Sequence, residues 1–242
     1  MIEKYKTAQE IKEIVKRLEN SPMTQYSHGY EKYGAIKIIC AAKKQAENFK
    51  HEEGRNAAII VMEVVLAAHR DFKKQVEANI QKVREKYPSL TFKKLNGMLD
   101  KMDYEEFKDV WGHKDQEKYN TLKALVEEIL KIQKNHPKLN DFETMKMWTE
   151  QADRKKRQND CLGRIRNVGL ATFQHFRIAF GVDTVKPDKR VREVLDREFG
   201  AKLSDKKAID AVEEIAKIIG YKVIEIDQIF VKYGSGYYLN SK

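Results

Sequence analysis

Two short stretches of this 242-residue chain hold residues whose types and spacing suit chemistry. The first is Asn167-Val168-Gly169, followed by Leu170-Ala171-Thr172. Asn and Gly tolerate positive φ better than other residues, so two sharp reversals within three residues are possible. A tight turn ahead of a helix leaves backbone N–H groups unpaired at the positive end of the helix dipole, where phosphate is the natural ligand. The second stretch is Lys186-Pro187-Asp188-Lys189-Arg190. Lys-Pro fixes an extended approach, and Asp188 is placed to cap a helix carrying Val191, Val194, Leu195 and Phe199. A carboxylate held in this way can stabilise positive charge developing nearby, and it can orient or deprotonate an attacking water.

The charge around these stretches has the sign a polyanion needs. From 154 to 192 there are eleven Lys and Arg against three Asp, whereas the whole chain has a net charge of +10. A field this concentrated, overlapping the turn, points to nucleic acid. Lys186, Lys189 and Arg190 surround Asp188 and are expected to contribute phosphate contacts.

The elements that must position these residues read as helices. Apolar residues at helical spacing mark helices at 8 to 19, 35 to 49 and around Leu122 to Leu130. Residues 57 to 72 contain a run apolar on every face, expected to be the buried central helix of a domain and to continue, polar, toward Tyr87. Residues 26 to 34 are polar and tyrosine-rich, which suits a loop, and 90 to 120 have short helices without firm bounds. Asp141 is expected to open a helix with Phe142, Met145 and Trp148 inward. The basic run from Arg154 to Arg157 leads to a helix end at the turn, and Ala171 to Phe180 forms the next helix, stopped by Gly181. Ser204 starts a helix that ends at Gly220. Asp227 is expected to open a last short helix ending at Gly234. No strand-like alternation persists, so the fold class is all-α.

This order of parts resembles the helix-hairpin-helix superfamily of base-excision DNA glycosylases, endonuclease III among them. The family's hairpin reads Leu-Pro-Gly-Val-Gly-x-x-Thr-Ala, and about twenty residues later comes Val-Asp-x-His-Val-x-Arg-Val. The matching residues here run from Ile165 to Thr172 and from Lys186 to Val194. Arg166 and Asn167 depart from the hairpin's Pro and first Gly, and Ala171 stands where strand-nicking members carry a nucleophilic Lys. The resemblance implies two helical domains with a cleft between them that takes the base. One is a barrel at 54–182, and the other is 1–53 joined to 183–242. It also implies binding of double-stranded DNA containing a lesion or mismatch, with the hairpin residues Asn167 to Thr172 on phosphate. A monovalent cation at the hairpin carbonyls is the one cofactor it suggests. Asp188 is the implied catalytic group and water the nucleophile, which makes the enzyme monofunctional. The competing reading is a non-catalytic DNA-binding protein that keeps the hairpin. His69 aligns with a residue that fills the gap left by a flipped nucleotide. His175, one turn beyond Ala171, and Trp148 are candidates for the base pocket, although each reads more simply as an ordinary packed side chain.

Bulk composition narrows the remaining classes. A mean hydropathy of -0.68 and the lack of a long apolar run exclude a membrane span. There is no signal-peptide pattern, so a cytoplasmic protein, or a nuclear one in a eukaryote, is expected, and a monomer. Cys40 and Cys161 are too few for a zinc cage or a four-thiolate iron-sulfur cluster, so no metal is expected, and both are read as small buried hydrophobes.

Overall fold

A computed structural model describes residues 1–49, 55–68 and 76–238. Its regular structure is helical: α1 (Ala8–Asn20), α2 (Tyr30–Tyr33), α3 (Ile38–Asn48), α4 (Ala57–Ala67), α5 (Glu77–Lys86), α6 (Phe92–Lys101), α7 (Tyr104–Trp111), α8 (Gln116–Asn135), α9 (Asp141–Gln151), α10 (Leu170–Ala179), α11 (Lys189–Phe199), α12 (Asp205–Ile219) and α13 (Val223–Tyr237). Among the described residues, extended pairing is limited to one bridge between Pro22 and Lys37. The chain divides into two compact units. One joins Met1–His51 to Gly181–Lys242, and the other is the continuous segment Glu52–Phe180.

In the continuous unit, α4 is the centre. Ten of its eleven residues are buried, as a helix apolar on all faces must be. The side chain of Asn56 caps its first turn by accepting from the Ile59 N–H at 3.1 Å. At the other end, the Val65 carbonyl accepts a long bond from the Ala68 N–H at 3.4 Å, and the last carbonyls also meet a donor from outside the helix. The Lys118 ammonium from α8 meets them, donating to the carbonyls of Val65, Leu66 and Ala68 at 3.2, 2.6 and 2.6 Å. The expected polar continuation toward Tyr87 is therefore corrected: α4 stops at Ala67, with an extended Ala68 as its cap, and α5 is a separate helix. Residues 90 to 120, which periodicity left without bounds, hold α6, α7 and the start of α8. The side chains of Thr91, Asp103 and Asp115 cap the three in turn.

In the other unit, α13 packs on α3 and α11. Its sequence misleads in two ways. Asp227 does not open it. The helix starts four residues earlier, after Lys222, and Asp227 is interior and 2% exposed. Gly234 does not close it either. A Cβ there would sit 3.3 Å from the Arg190 carbonyl oxygen, and one at Gly236 would sit 2.2 Å from Ser27 Oγ. These glycines admit neighbours to the helix surface and leave the helix running to Tyr237. The tyrosine-rich loop contains the single turn α2. Cys161 is half-buried but Cys40 is exposed, contrary to the expectation for it, because it lies on the outer side of α3.

Candidate functional site

The hairpin belongs to the continuous unit. Asn167 has φ +69 and makes the one left-handed step that the turn requires of a non-glycine residue. Gly169 does not share it: at φ -72, ψ 176 it is an extended N-cap for α10. The arm before the turn is also not the helix expected. The segment 154–159 is a 3₁₀ turn, and one further loose turn follows, in which the Arg164 N–H donates to the Asp160 carbonyl at 3.0 Å. Asp160 holds that turn together. Its Oδ1 accepts from the N–H groups of Leu162 and Gly163 at 2.9 and 2.8 Å, and its carboxylate accepts from Trp148 Nε1 at 3.1 Å.

Trp148 is thus an anchor of the hairpin as well as a core residue. It is 5% exposed and meets Phe173 edge-on at 5.5 Å. Asn167 Nδ2 donates to Glu117 Oε2 at 3.0 Å and to Thr121 Oγ1 at 3.2 Å, which docks the turn on the first coils of α8.

The inner side of the hairpin holds a cation of its own. Arg157 Nη1 donates to the carbonyls of Gly163 and Val168, both at 2.6 Å. At these two oxygens a guanidinium supplies positive charge. Gly163 makes the clamp possible. A Cβ on it would lie 2.4 Å from the Arg157 carbonyl oxygen and 2.9 Å from Phe173. Sequence spacing gave no sign of Arg157, Asp160 or Gly163, since each acts through the shape of the turn.

The outer side is open. Gly169 offers no side-chain cap, and a Cβ there would meet nothing within 4 Å. The first bond into α10 runs from the Phe173 N–H to the Gly169 carbonyl at 2.9 Å. Among the described residues, no acceptor pairs with the N–H groups of Leu170, Ala171 and Thr172. His175 is half-buried one turn further along α10. His69 lies outside the described residues.

The basic field is partly spent within the fold. Arg166 pairs with Glu117 at 3.2 Å, and Arg164 faces Glu128 at 3.9 Å. Beyond the hairpin, Lys189 and Arg190 both reach Glu193, at 3.5 and 2.9 Å, and Arg192 reaches Asp205 at 3.4 Å. Net charge over a stretch therefore overstates what is available to a partner. Lys155 and Lys156 remain exposed on the 3₁₀ turn.

Asp188 belongs to the other unit and is half-buried. It is the N-cap of α11. Its Oδ1 accepts from the N–H groups of Arg190 at 2.9 Å and Val191 at 3.1 Å. Among the described residues nothing donates to its Oδ2, so one oxygen is fixed by the backbone and the other can serve an outside group. Lys186 sits just ahead, its carbonyl accepting from the Asp188 N–H at 2.7 Å. Lys186 N–H in turn donates to Asp227 Oδ1 at 3.0 Å. Sequence reading passed over this buried carboxyl by taking Asp227 for a cap.

Beside it on α13 are Gln228 and Lys232, both buried. Gln228 Nε2 donates to Asp227 Oδ2 at 2.9 Å, and its Oε1 accepts from Lys232 Nζ at 3.3 Å. Burial lowers the Lys232 amine to about 8. His28 is held down to about 4, first by burial and then by the charges of Lys232 and Lys186.

No group of three or more His, Cys, Asp or Glu able to hold a metal ion occurs among the described residues, and no described helix is long and apolar enough to cross a membrane. No family model, curated protein or solved structure matches the chain.

Proposed function

We propose that the chain is a monofunctional DNA glycosylase of the helix-hairpin-helix kind, which hydrolyses the N-glycosidic bond of a base flipped from the duplex. The observation that carries the reading is the Asp188 carboxyl group: one oxygen gripped by two backbone N–H groups, the other without a donor among the described residues. As the glycosidic bond breaks, positive charge grows on the sugar. A carboxylate already oriented by the backbone stabilises it without reorganising. The same Oδ2 can align the attacking water and take its proton. Ala171 offers no amine, so no covalent sugar intermediate forms there.

The hairpin's part is positioning. Unpaired N–H groups at the start of α10, with the Arg157 charge behind the turn, suit a phosphate and read no base edge. Lys186, Lys189 and Arg190 add charge near Asp188, and the paired state of the last two limits their share. Selectivity then comes in part from the lower cost of flipping a damaged or mispaired base.

The test is a panel of duplexes, each with a single lesion or mismatch, assayed for abasic sites. Wild type is expected to release base from at least one. Asp188→Asn should abolish release and leave duplex affinity within about twofold, since Asn is an equally good N-cap. Affinity without release from any duplex would leave a DNA-binding protein and no enzyme. Borohydride should trap no adduct. A trapped adduct would move the chemistry to an amine, with Lys155 and Lys156 on the clamped 3₁₀ turn the first to replace.

A further inference from the structure

We infer that Asp227 is a positioning residue for Asp188: its buried carboxyl group grips the Lys186 backbone and fixes the turn that presents Asp188. This rests on the reading of Asp188 as the catalytic carboxylate, and it assigns the partner that reading lacks.

The geometry runs through a single residue. Lys186 gives its N–H to Asp227 Oδ1 at 3.0 Å and its carbonyl to the Asp188 N–H at 2.7 Å. Pro187, between them, is buried and has fixed φ. The placement of the Asp188 carboxyl is therefore set by a hydrogen bond from α13, an element remote in sequence. Asp227 is itself locked, because Gln228 holds its second oxygen and is held by Lys232, whose ammonium lies 5.5 Å over the Tyr33 ring. Asp183, just upstream, accepts from the Ile224 N–H at 2.9 Å and ties the same loop to the first turn of α13. Of the other charged or titratable groups meeting α13, Arg17 from α1 and Glu198 from α11 engage Tyr233 and Tyr238, Arg190 reaches the Tyr238 carbonyl at 3.4 Å, and the His28 backbone N–H donates to Ser235 Oγ at 2.8 Å.

Asp227 accepts at both oxygens, from the Lys186 N–H at 3.0 Å and from Gln228 Nε2 at 2.9 Å, and Asn could replace only one of these acceptors. Asp also brings a group that can titrate. Burial, and after it the charge of Asp188, raises Asp227 to about 7, against a smaller opposing pull from the Lys186 N–H, the Lys186 charge and Gln228. Two neighbouring carboxyl groups resist holding two negative charges, and their titrations are coupled. Below that value the buried Asp227 carboxyl group is neutral. As pH passes 7, Asp227 gains a negative charge and adds to the field that stabilises the sugar cation.

Two measurements test this, and the first needs no catalysis. Carboxyl carbon NMR should show Asp227 titrating near pH 7, and Asp188→Asn should lower that midpoint, because the Asp188 charge is among the causes that raise it. A midpoint in the ordinary carboxylate range, or one that Asp188→Asn does not move, overturns the inference even if no duplex is a substrate. The second is single-turnover base release against pH. The wild-type rate should rise across pH 7. Asp227→Asn should lower the rate through the lost acceptor for Gln228 Nε2 and also lose the rise, because an amide does not titrate in this range. Asp227→Leu should lower the rate by about tenfold or more at unchanged duplex affinity, as expected when a reacting group is displaced. An unaltered pH profile in Asp227→Asn, or a folded Asp227→Leu with a wild-type rate, refutes the positioning role. Failure of wild type to release any base would instead refute the glycosylase reading, and the NMR titration would still decide the coupling.

Discussion

At the scale of the residue, the two hairpin glycines exchange the roles their sequence contexts suggest. Gly163 is in no motif, yet any side chain there strikes the Arg157 backbone and Phe173. Gly169 is the motif glycine, yet its backbone is extended and its Cβ position is empty space. Nothing within the described fold requires glycine at 169. A ligand approaching the start of α10 would. Gly169→Ser separates these demands. The new hydroxyl can accept from the N–H of Leu170, Ala171 or Thr172, as a Ser N-cap commonly does with the second or third helical residue, so stability should hold or rise by a few tenths of a kcal/mol. The same bond removes a donor from an incoming phosphate, and the Cβ blocks its approach. Duplex affinity should fall by about fivefold or more while the melting temperature stays level or increases. A variant that binds duplex as well as wild type would show that no phosphate meets these N–H groups.

At the scale of the element, the hairpin is a turn held from outside itself. Its first arm is one loose turn, so helix propensity contributes little. The fixing comes from Asp160 on the N–H groups of Leu162 and Gly163, from Asn167 on α8, and from Arg157 on two carbonyls. Arg157→Met keeps the packing of the stem and removes the charge. It leaves two carbonyls without their donor, at a cost of about 1.5–3 kcal/mol for bonds to a charged group. Denaturant titration should show a loss of that order. Duplex binding should also become sensitive to exchanging sodium for potassium at constant ionic strength, because the carbonyls are freed for a solvent cation, whereas wild type should be indifferent. A variant as indifferent as wild type would mean that no ion enters when the guanidinium leaves. Asp188 as the cap of α11 and α4 as a buried helix were legible in sequence because each depends on local spacing alone. The end of α4 was not, because Lys118 closes it from fifty residues away. Nor was the end of α13, since Gly234 looks like a stop signal until Arg190 is seen against it.

At the scale of the whole molecule, all-helical class was readable from period and punctuation, while the distribution of charge was not. A count of lysines and arginines along the chain cannot tell which ones already face Glu117, Glu128, Glu193 or Asp205. The two units also differ in how the chain builds them. Glu52–Phe180 is continuous, and its apolar core runs unbroken from α4 to Phe180. The other unit needs both ends of the chain. The segment 52–180 has the length and the core of an independent domain. Expressed alone, it should give a helical spectrum and a single cooperative unfolding transition. It contains the hairpin, Arg157 and the exposed Lys155 and Lys156 but lacks Asp188 and Asp227. On the proposed reading it should still bind duplex, less tightly than the full chain, with affinity falling steeply as salt rises because the contacts are to phosphate. It should release no base. A fragment that folds and ignores DNA at low salt would take phosphate binding away from the hairpin and leave it to the surroundings of Asp188.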